Sequence, residues 1–392
     1  MISKKISEIA PSPTLSITAK AKALKKSGVD VISLSAGEPD FDTPDYIKKA
    51  AIKAIIDGQT KYTPTGGIPE LKEAVCHKFL EDNHLQYTTE EILISVGAKQ
   101  CLYNIIQALI NPADEVLIAA PYWASYVEMI KLAGGVAIFP ETKNFKIDLT
   151  KFSESITTKT KLLILNSPGN PTGVVYEKKE LEKIAELCVK NNIFVLSDEI
   201  YEKLIYEKEH ISMASLNEEI KKLTFTVNGF SKSYSMTGWR IGYVAGNREV
   251  IKAATNLQDH STSNATSISQ YAALEALTNK SESKKFIDKM REEFKKRRDY
   301  IISKLSAIEG VRAEKPDGAF YVFPDVSKFY GGDLKNSTDF SEMLLEKAHV
   351  AVVPGSAFGD DNCIRLSFAT SLEDIEKGID RIAEAVSKIH KN

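Results

Sequence analysis

Apolar runs of strand length alternate with amphipathic helical stretches along most of this 392-residue chain. "EILISVG" reads as a strand end, and "AKQCLYNIIQALI" as the helix that follows it. Further strands are expected at "EVLIAAP", "GVAIFP", "KLLILNSP", "NIFVLSDE", "LTFTVNGF" and "RIGYVAG", with helices such as "EKKELEKIAELCVKNN" between several of them. Near-continuous apolar runs belong to strands covered on both faces, as in a mostly parallel sheet. The alternation therefore predicts a large α/β domain over residues 45–280, its mostly parallel sheet flanked by helices. After the charged helical stretch "KKFIDKMREEFKKRRDYIISKL" the order changes to "GAFYVFP", a helix, "VAVVPG", "CIRLSFA" and a last helix. That order predicts a smaller α+β domain, residues 281–392 completed by the N-terminal segment 1–44. No internal repeat is visible.

Composition narrows the function classes. Lys and Arg number 51 and Asp and Glu 53, a net charge of -2, so no global basic field exists for nucleic acid. No run of 18 apolar residues occurs, so no membrane span is expected. "MISKKISEIAPSPTLS" holds no apolar stretch long enough for a secretory signal, and a cytoplasmic protein is expected. Cys76, Cys101, Cys188 and Cys363 are widely spaced without a CxxC pair, which fits free thiols in a reducing compartment. His77, His84, His210, His260, His349 and His390 include no HExxH and no i, i+4 pair, so no histidine-based metal site is expected.

In open α/β sheets ligands bind outside the carboxyl ends of the strands, so the residues that follow each apolar run are the place to look. They are Gly97, Ala98 and Lys99 opening a helix; "PYWASY" with Trp123; "SPGNPTG" with Asn170; "DEIY" with Asp198 and Tyr201; and "GFSK" with Lys232. Singly, each has an ordinary reading. Gly97 is a turn glycine, Trp123 a core residue, "NPTG" a β-turn. Asp198 caps a helix beginning at Glu199, and Lys232 is a solvated surface amine. Together, at successive strand ends, they suit one ligand. An amine acts as a nucleophile when burial or a neighbouring cation lowers its pKa, and Arg240 is such a cation. A guanidinium and a helix N-terminus both favour a phosphate. Asp198 can hold a proton on a ring nitrogen, Tyr201 and Asn170 can donate to a ring oxygen, and Trp123 can stack on an aromatic ring. A phosphate, a pyridine nitrogen, a ring oxygen and an aldehyde that captures a lysine describe pyridoxal 5′-phosphate (PLP).

The motifs "PSPTL", "SAGEPDFDTP", "KYTPTGGIPELKEAV", "SVGAKQ", "PYWASY", "NSPGNPTG", "SDEIYE", "GFSKSYSMTGWRIGY", "GAFYVF", "VAVVPGSAFG" and "IRLSFATS" run through nearly the whole chain. In this order they resemble the class I (fold type I) PLP-dependent aminotransferases, and within them the bacterial aspartate aminotransferase branch. The resemblance implies that Lys232 bonds the cofactor aldehyde and moves protons at the substrate α-carbon. It implies that Asp198 pairs with the ring nitrogen, that Tyr201 and Asn170 bond the ring oxygen, and that Trp123 stacks on the ring. It places the phosphate on Arg240 and the backbone N–H groups of Ala98 and Lys99, with Gly97 forming the turn and Ser231 beside the cup. Tyr62 would reach the phosphate of a neighbouring subunit, implying a homodimer with shared sites. Arg365 would clamp the substrate α-carboxylate, helped by Gly37 and Asn170, and Lys99 would read the distal carboxylate.

Two positions depart from many relatives. Gly229 stands where a phosphate-binding serine is often found, with Ser231 the available substitute. Ala10 stands before "PSPTL" in place of a basic residue. The implied reaction is a ping-pong transfer of the amino group from L-aspartate to 2-oxoglutarate, giving oxaloacetate and L-glutamate. Alternatives with the same cofactor are an aromatic, prephenate or alanine aminotransferase or a β-lyase. A non-catalytic PLP-binding sensor is the alternative of a different class, and it would carry a helix-turn-helix or a basic extension, neither of which is seen here. "SVGAK" has neither GxGxxG nor GxxxxGK[ST] spacing, which argues against a nucleotide site.

Overall fold

Seven of the apolar runs assemble into one sheet. Its spatial order is Ile92–Ser95, Gly242–Ala245, Thr224–Gly229, Phe194–Asp198, Thr160–Asn166, Glu115–Ile118 and Val136–Ile138. Five of the strands run parallel to their neighbours on this side of the order, while Gly242–Ala245 is antiparallel to both strands it touches. The computed structural model describes residues 2–11 and 13–389; Ser12 of "PSPTL" and His390 lie outside the described residues. Both faces of the central strands are covered, which is why their sequences lack alternation. Register aligns Asn166 with Asp198, and Asp198 with Val227, so the polar residues that end these strands stand side by side.

The helices form where apolar residues recur at helical spacing. Lys178–Lys190 buries Leu181, Ile184, Ala185 and Cys188, an i, i+3, i+4, i+7 stripe, and starts with a capping box between Glu177 and Glu180. Ala98–Leu109 buries Cys101, Leu102, Ile105 and Ile106 against the sheet. The four cysteines are free, and Cys101, Cys188 and Cys363 pack as small hydrophobes.

The C-terminal part builds a three-stranded antiparallel sheet, with Ile364–Ser367 between Tyr321–Val322 and Val353–Pro354. The N-terminal segment is stitched into it. Ile32–Ser33 pairs in parallel with Val350–Ala351, and the Leu34 carbonyl accepts from the Ser367 N–H at 2.7 Å. Residues Phe294, Phe320, Leu366 and Phe368 share one apolar cluster with Ile32 and Leu34, and also with Ile200, Tyr201 and Leu204. The chain leaving the Asp198 strand thus crosses into the core of the C-terminal part, and the strand ends face the seam between them. The expected boundary after residue 280 falls in the first turn of the helix Lys280–Ser306.

One local expectation differs. No helix begins at Glu199, so Asp198 caps none; the segment after it is a turn, with Asp198 Oδ1 accepting the Ile200 N–H at 3.3 Å. The apolar side chains of Ile200, Tyr201 and Leu204 are drawn instead into the C-terminal core.

Two glycines bring the sheet and the helix start together. A Cβ on Gly242 would lie 2.7 Å from the Gly97 carbonyl carbon, beside the start of the Ala98–Leu109 helix. A Cβ on Gly229 would lie 3.0 Å from Gly242 Cα, 3.2 Å from the Ile241 oxygen and 3.3 Å from Ile200 Cδ1. The glycine at 229 is therefore set by the close approach of its sheet partner. Gly242→Ala is expected to lower unfolding stability by about 2 kcal/mol through overpacking against backbone, read from the midpoint of urea denaturation at unchanged slope.

Candidate active site

Each side chain of the site comes from the end of a strand or the turn beyond it. Asp198 ends its strand and is 4% exposed. Its backbone oxygen accepts from Asn166 Nδ2 at 2.9 Å, which ties the neighbouring strand end to it. Its Oδ2 accepts from the Tyr126 hydroxyl at 2.7 Å. Burial pushes the Asp198 carboxyl up to about 6, while the Tyr126 hydroxyl, the Ile200 N–H and Lys232 oppose the shift and Glu199 adds to it.

Lys232 follows the Thr224–Gly229 strand and is partly buried. Its Nζ donates to the Gly37 carbonyl and lies 5.8 Å from the Tyr201 ring centroid and 5.6 Å from that of Phe320. Burial lowers the Lys232 amine to about 8, Glu38 and Asp198 resist, and the Arg365 and Arg240 guanidiniums reinforce it. Amine and carboxyl have thus moved toward each other on the pH scale, a mark of a functional site.

Gly97, with φ +82°, is the residue before the Ala98–Leu109 helix. The free N–H groups of the first helical turn, Ala98 and Lys99 among them, point out of the helix start. Arg240 lies against this turn: a Cβ on Gly97 would meet its Nη2 at 2.8 Å. Arg240 Nη1 donates to the Thr237 carbonyl at 2.9 Å, and Arg240 has no carboxylate partner among the described residues. An exposed guanidinium at a helix N-terminus is a site for an anion. Lys99 lies 4.8 Å over the Trp123 ring, and burial followed by Arg240 lowers its pKa. Trp123 in turn meets Tyr126 edge to face at 5.3 Å.

Arg365, in the strand Ile364–Ser367, is 2% exposed. Nη1 donates to Asn170 Oδ1 and Nη2 to the Ser35 carbonyl, both at 3.0 Å. Its guanidinium sits 4.5 Å over Tyr321 and 5.0 Å over Phe358. Its Nε has no hydrogen-bond partner, and Arg365 has no carboxylate partner among the described residues. A buried cation without a counter-ion is costly, which makes this position one that asks for a carboxylate. Tyr321 also bonds Tyr201, hydroxyl to hydroxyl at 3.0 Å.

Contacts therefore link Lys232, Tyr201, Arg365 and Asn170 on one side, and Asp198, Trp123, Lys99, Gly97 and Arg240 on the other. Gly37 belongs to the first group through its carbonyl, which accepts from Lys232. Ser231 is buried at the start of the same turn. Tyr62 stands apart at 91% exposure. The N–H of Ala10 donates to Glu128 Oε2 at 3.2 Å, and no basic side chain is present at position 10. Sequence reading missed Tyr126, Tyr321 and Ser35. A tyrosine buried in an apolar element needs a partner for its hydroxyl, and that was the available signal for the first two. Ser35 acts through its backbone oxygen, for which sequence carries no signal.

Glu199, Glu202 and His210 also come together, their ligand atoms within 4.8 Å. The two carboxylates are engaged: Glu199 accepts from Ser197, Ser212, the Met213 N–H and His210, and Glu202 pairs with Lys78, while His210 Nδ1 has no hydrogen-bond partner. Among the described residues, no helix is long and apolar enough to cross a membrane.

The family description "Aminotransferase class I and II" matches residues 29–382. A probable aspartate/prephenate aminotransferase of Aquifex aeolicus is 51% identical over 395 residues, covering 99% of each chain. An aspartate aminotransferase of Bacillus subtilis is 47% identical over 392 residues, again covering 99% of each. The solved structure of Thermus thermophilus aspartate aminotransferase with maleate superposes with a TM-score of 0.94 at 45% identity, covering 98% of this chain and 99% of that one. The fold is accordingly the fold type I architecture that the motifs implied. With the family matched over most of its length, this chain belongs to the class I and II aminotransferases.

Proposed function

We propose that the protein is a cytoplasmic aspartate aminotransferase that uses pyridoxal 5′-phosphate and works as a homodimer. The observation that carries this reading is the setting of Lys232: an amine lowered to about 8 that feels two guanidiniums, Arg365 and Arg240, neither with a carboxylate partner among the described residues. The donor set fits the cofactor. Arg240 and the Ala98 and Lys99 N–H groups would take its phosphate, Asp198 its ring nitrogen, Tyr201 and Asn170 its ring oxygen, and Trp123 its ring face. Ser231 would lie beside the phosphate cup. When bound, this cofactor supplies an electron sink for the charge left on the substrate α-carbon.

The chain's own groups do the rest. Arg365 takes the α-carboxylate of the amino donor on a fork already aimed by Asn170 and the Ser35 carbonyl. Lys99 takes the distal carboxylate of aspartate. Lys232, neutral above about pH 8, removes the α-proton, and the Gly37 carbonyl receives the resulting N–H. Residues 45–280 would form the large domain and residues 1–44 with 281–392 the small one. Tyr62, exposed on this chain, would complete the phosphate site of the second subunit.

A second reading keeps the site and widens the acceptor. The Aquifex and Thermus relatives are named for prephenate as well as aspartate. A matrix of donors against 2-oxoglutarate and prephenate separates the two, and a protein inactive with aspartate in every combination overturns the proposal.

Five outcomes are expected. Capture of PLP by the cofactor-free protein requires the neutral amine, so its rate should rise with pH and reach half its plateau near pH 8 rather than near 10.5; stopped-flow absorbance reads this. Arg365→Lys should lower kcat/KM for aspartate about 100-fold, since the bidentate fork is lost. Lys99→Ala should raise the aspartate KM about tenfold while leaving alanine and phenylalanine nearly unchanged. Sedimentation should show a dimer, and Tyr62→Phe should weaken PLP retention without dissociating it; a monomeric active enzyme contradicts the shared site.

A further inference from the structure

The Asp198 carboxylate has few partners for a group so buried. One oxygen accepts the Ile200 N–H at 3.3 Å, and the other accepts the Tyr126 hydroxyl at 2.7 Å. The Tyr126 bond is the short one. Tyr126 lies in the first turn of the helix Ser125–Ala133, is 1% exposed, and packs edge to face on Trp123. Its ring shares an apolar cluster with Met129, Ile130 and Cys101.

The other groups near Asp198 divide. Glu199, next in the chain, opposes its negative charge, and Lys232 from beyond the neighbouring strand favours it. Cys101 on the Ala98–Leu109 helix and Tyr201 also feel that charge, and both stay protonated because burial and Asp198 itself push them up. Tyr126 is pushed well above the usual phenol range by burial and by the same carboxylate, so it gives a hydrogen bond and keeps its proton.

We propose that Tyr126 is a positioning residue for the transamination: its hydroxyl holds Asp198 as an aimed acceptor, so that the proton between Asp198 and the cofactor ring nitrogen stays on the ring. The inference rests on the PLP reading given above. The reasoning is one of competing sites for one proton. A carboxylate stabilised by a strong donor is a weaker base, and the nitrogen opposite it keeps the proton. Without that donor the buried carboxylate, already disfavoured by its surroundings, takes the proton and the ring loses its positive charge. Tyr126 is 1% exposed and its hydroxyl is engaged by Asp198, so its effect should fall on turnover and not on substrate binding.

The test is Tyr126→Phe, which deletes one oxygen and preserves the ring that packs on Trp123. Holoenzyme is loaded with PLP labelled with nitrogen-15 in the ring, and the ring-nitrogen resonance is recorded for wild type and variant. The wild-type resonance should be that of a pyridinium, and in the variant it should move toward that of neutral pyridine. Turnover should fall about tenfold, with the aspartate KM within about twofold. Tyr126→3-fluorotyrosine, which keeps both shape and donor, should keep the wild-type resonance, and a shift toward neutral pyridine in that variant overturns the proposal even where the Phe variant is poorly folded. A pyridinium resonance unchanged in the Phe variant overturns the role of Tyr126 alone. Wild-type protein that holds no labelled cofactor overturns the PLP reading itself.

Discussion

A buried guanidinium with no counter-ion among the described residues is the constraint on which the rest of the structure turns. Arg365 is held by the Ser35 carbonyl from the N-terminal segment, by Asn170 from the turn beyond the central strand Thr160–Asn166, and by the rings of Tyr321 and Phe358 from the C-terminal part. Removing a charge from water costs several kcal/mol unless it is paired, and polar atoms plus ring faces offset only part of that. Three distant stretches of chain must therefore arrive at one point. The pairing of Ile32–Ser33 with Val350–Ala351, and the Leu34 bond to Ser367, are the backbone connections that bring Ser35 there.

The opposite side of the site has the complementary difficulty, a buried carboxyl. Asp198 is kept in place by strand register with Asn166 and by Tyr126, and its neighbour Glu199 is wrapped by four hydrogen-bond donors of its own. Further along the same turn, Lys78 draws the Glu202 carboxyl down to about 2 against the cost of its burial. The segment after Asp198 thus carries three acidic groups whose environments differ. Glu202 has Lys78 and Glu199 is enclosed by four donors, whereas Asp198 accepts only from the Tyr126 hydroxyl and the Ile200 N–H, and so it is the one with room for a cationic ligand.

Much of the site was legible because function in an open α/β sheet collects at strand ends. Lys232, Asp198, Asn170 and the Gly97–Lys99 turn each follow an apolar run, and the structure gathers them as that rule requires. Tyr126 closes the quoted motif "PYWASY", yet its role was not legible. It lies on a helix among buried Met129 and Ile130, where an aromatic residue reads as packing, and its hydroxyl meets a carboxylate 72 positions away. Tyr321 was inside a recognised motif, yet its contact with both Tyr201 and Arg365 comes from the crossing of two cores. The glycine at 229 looked like a missing hydroxyl; the close approach of Gly242 gives it a steric reason.

By itself the sequence determined the layers, the order of strands and helices, and which polar residues close each strand, because these follow from local periodicity and from turn chemistry. It also determined the family, through motifs spread along nearly the whole chain. Tertiary structure decided which charges remain unpaired. The lowered amine of Lys232, the raised carboxyl of Asp198 and the unpartnered Nε of Arg365 depend on burial and on neighbours from other stretches of the chain. Desolvation and Coulomb interaction act through space, and the order of residues along the chain does not record them.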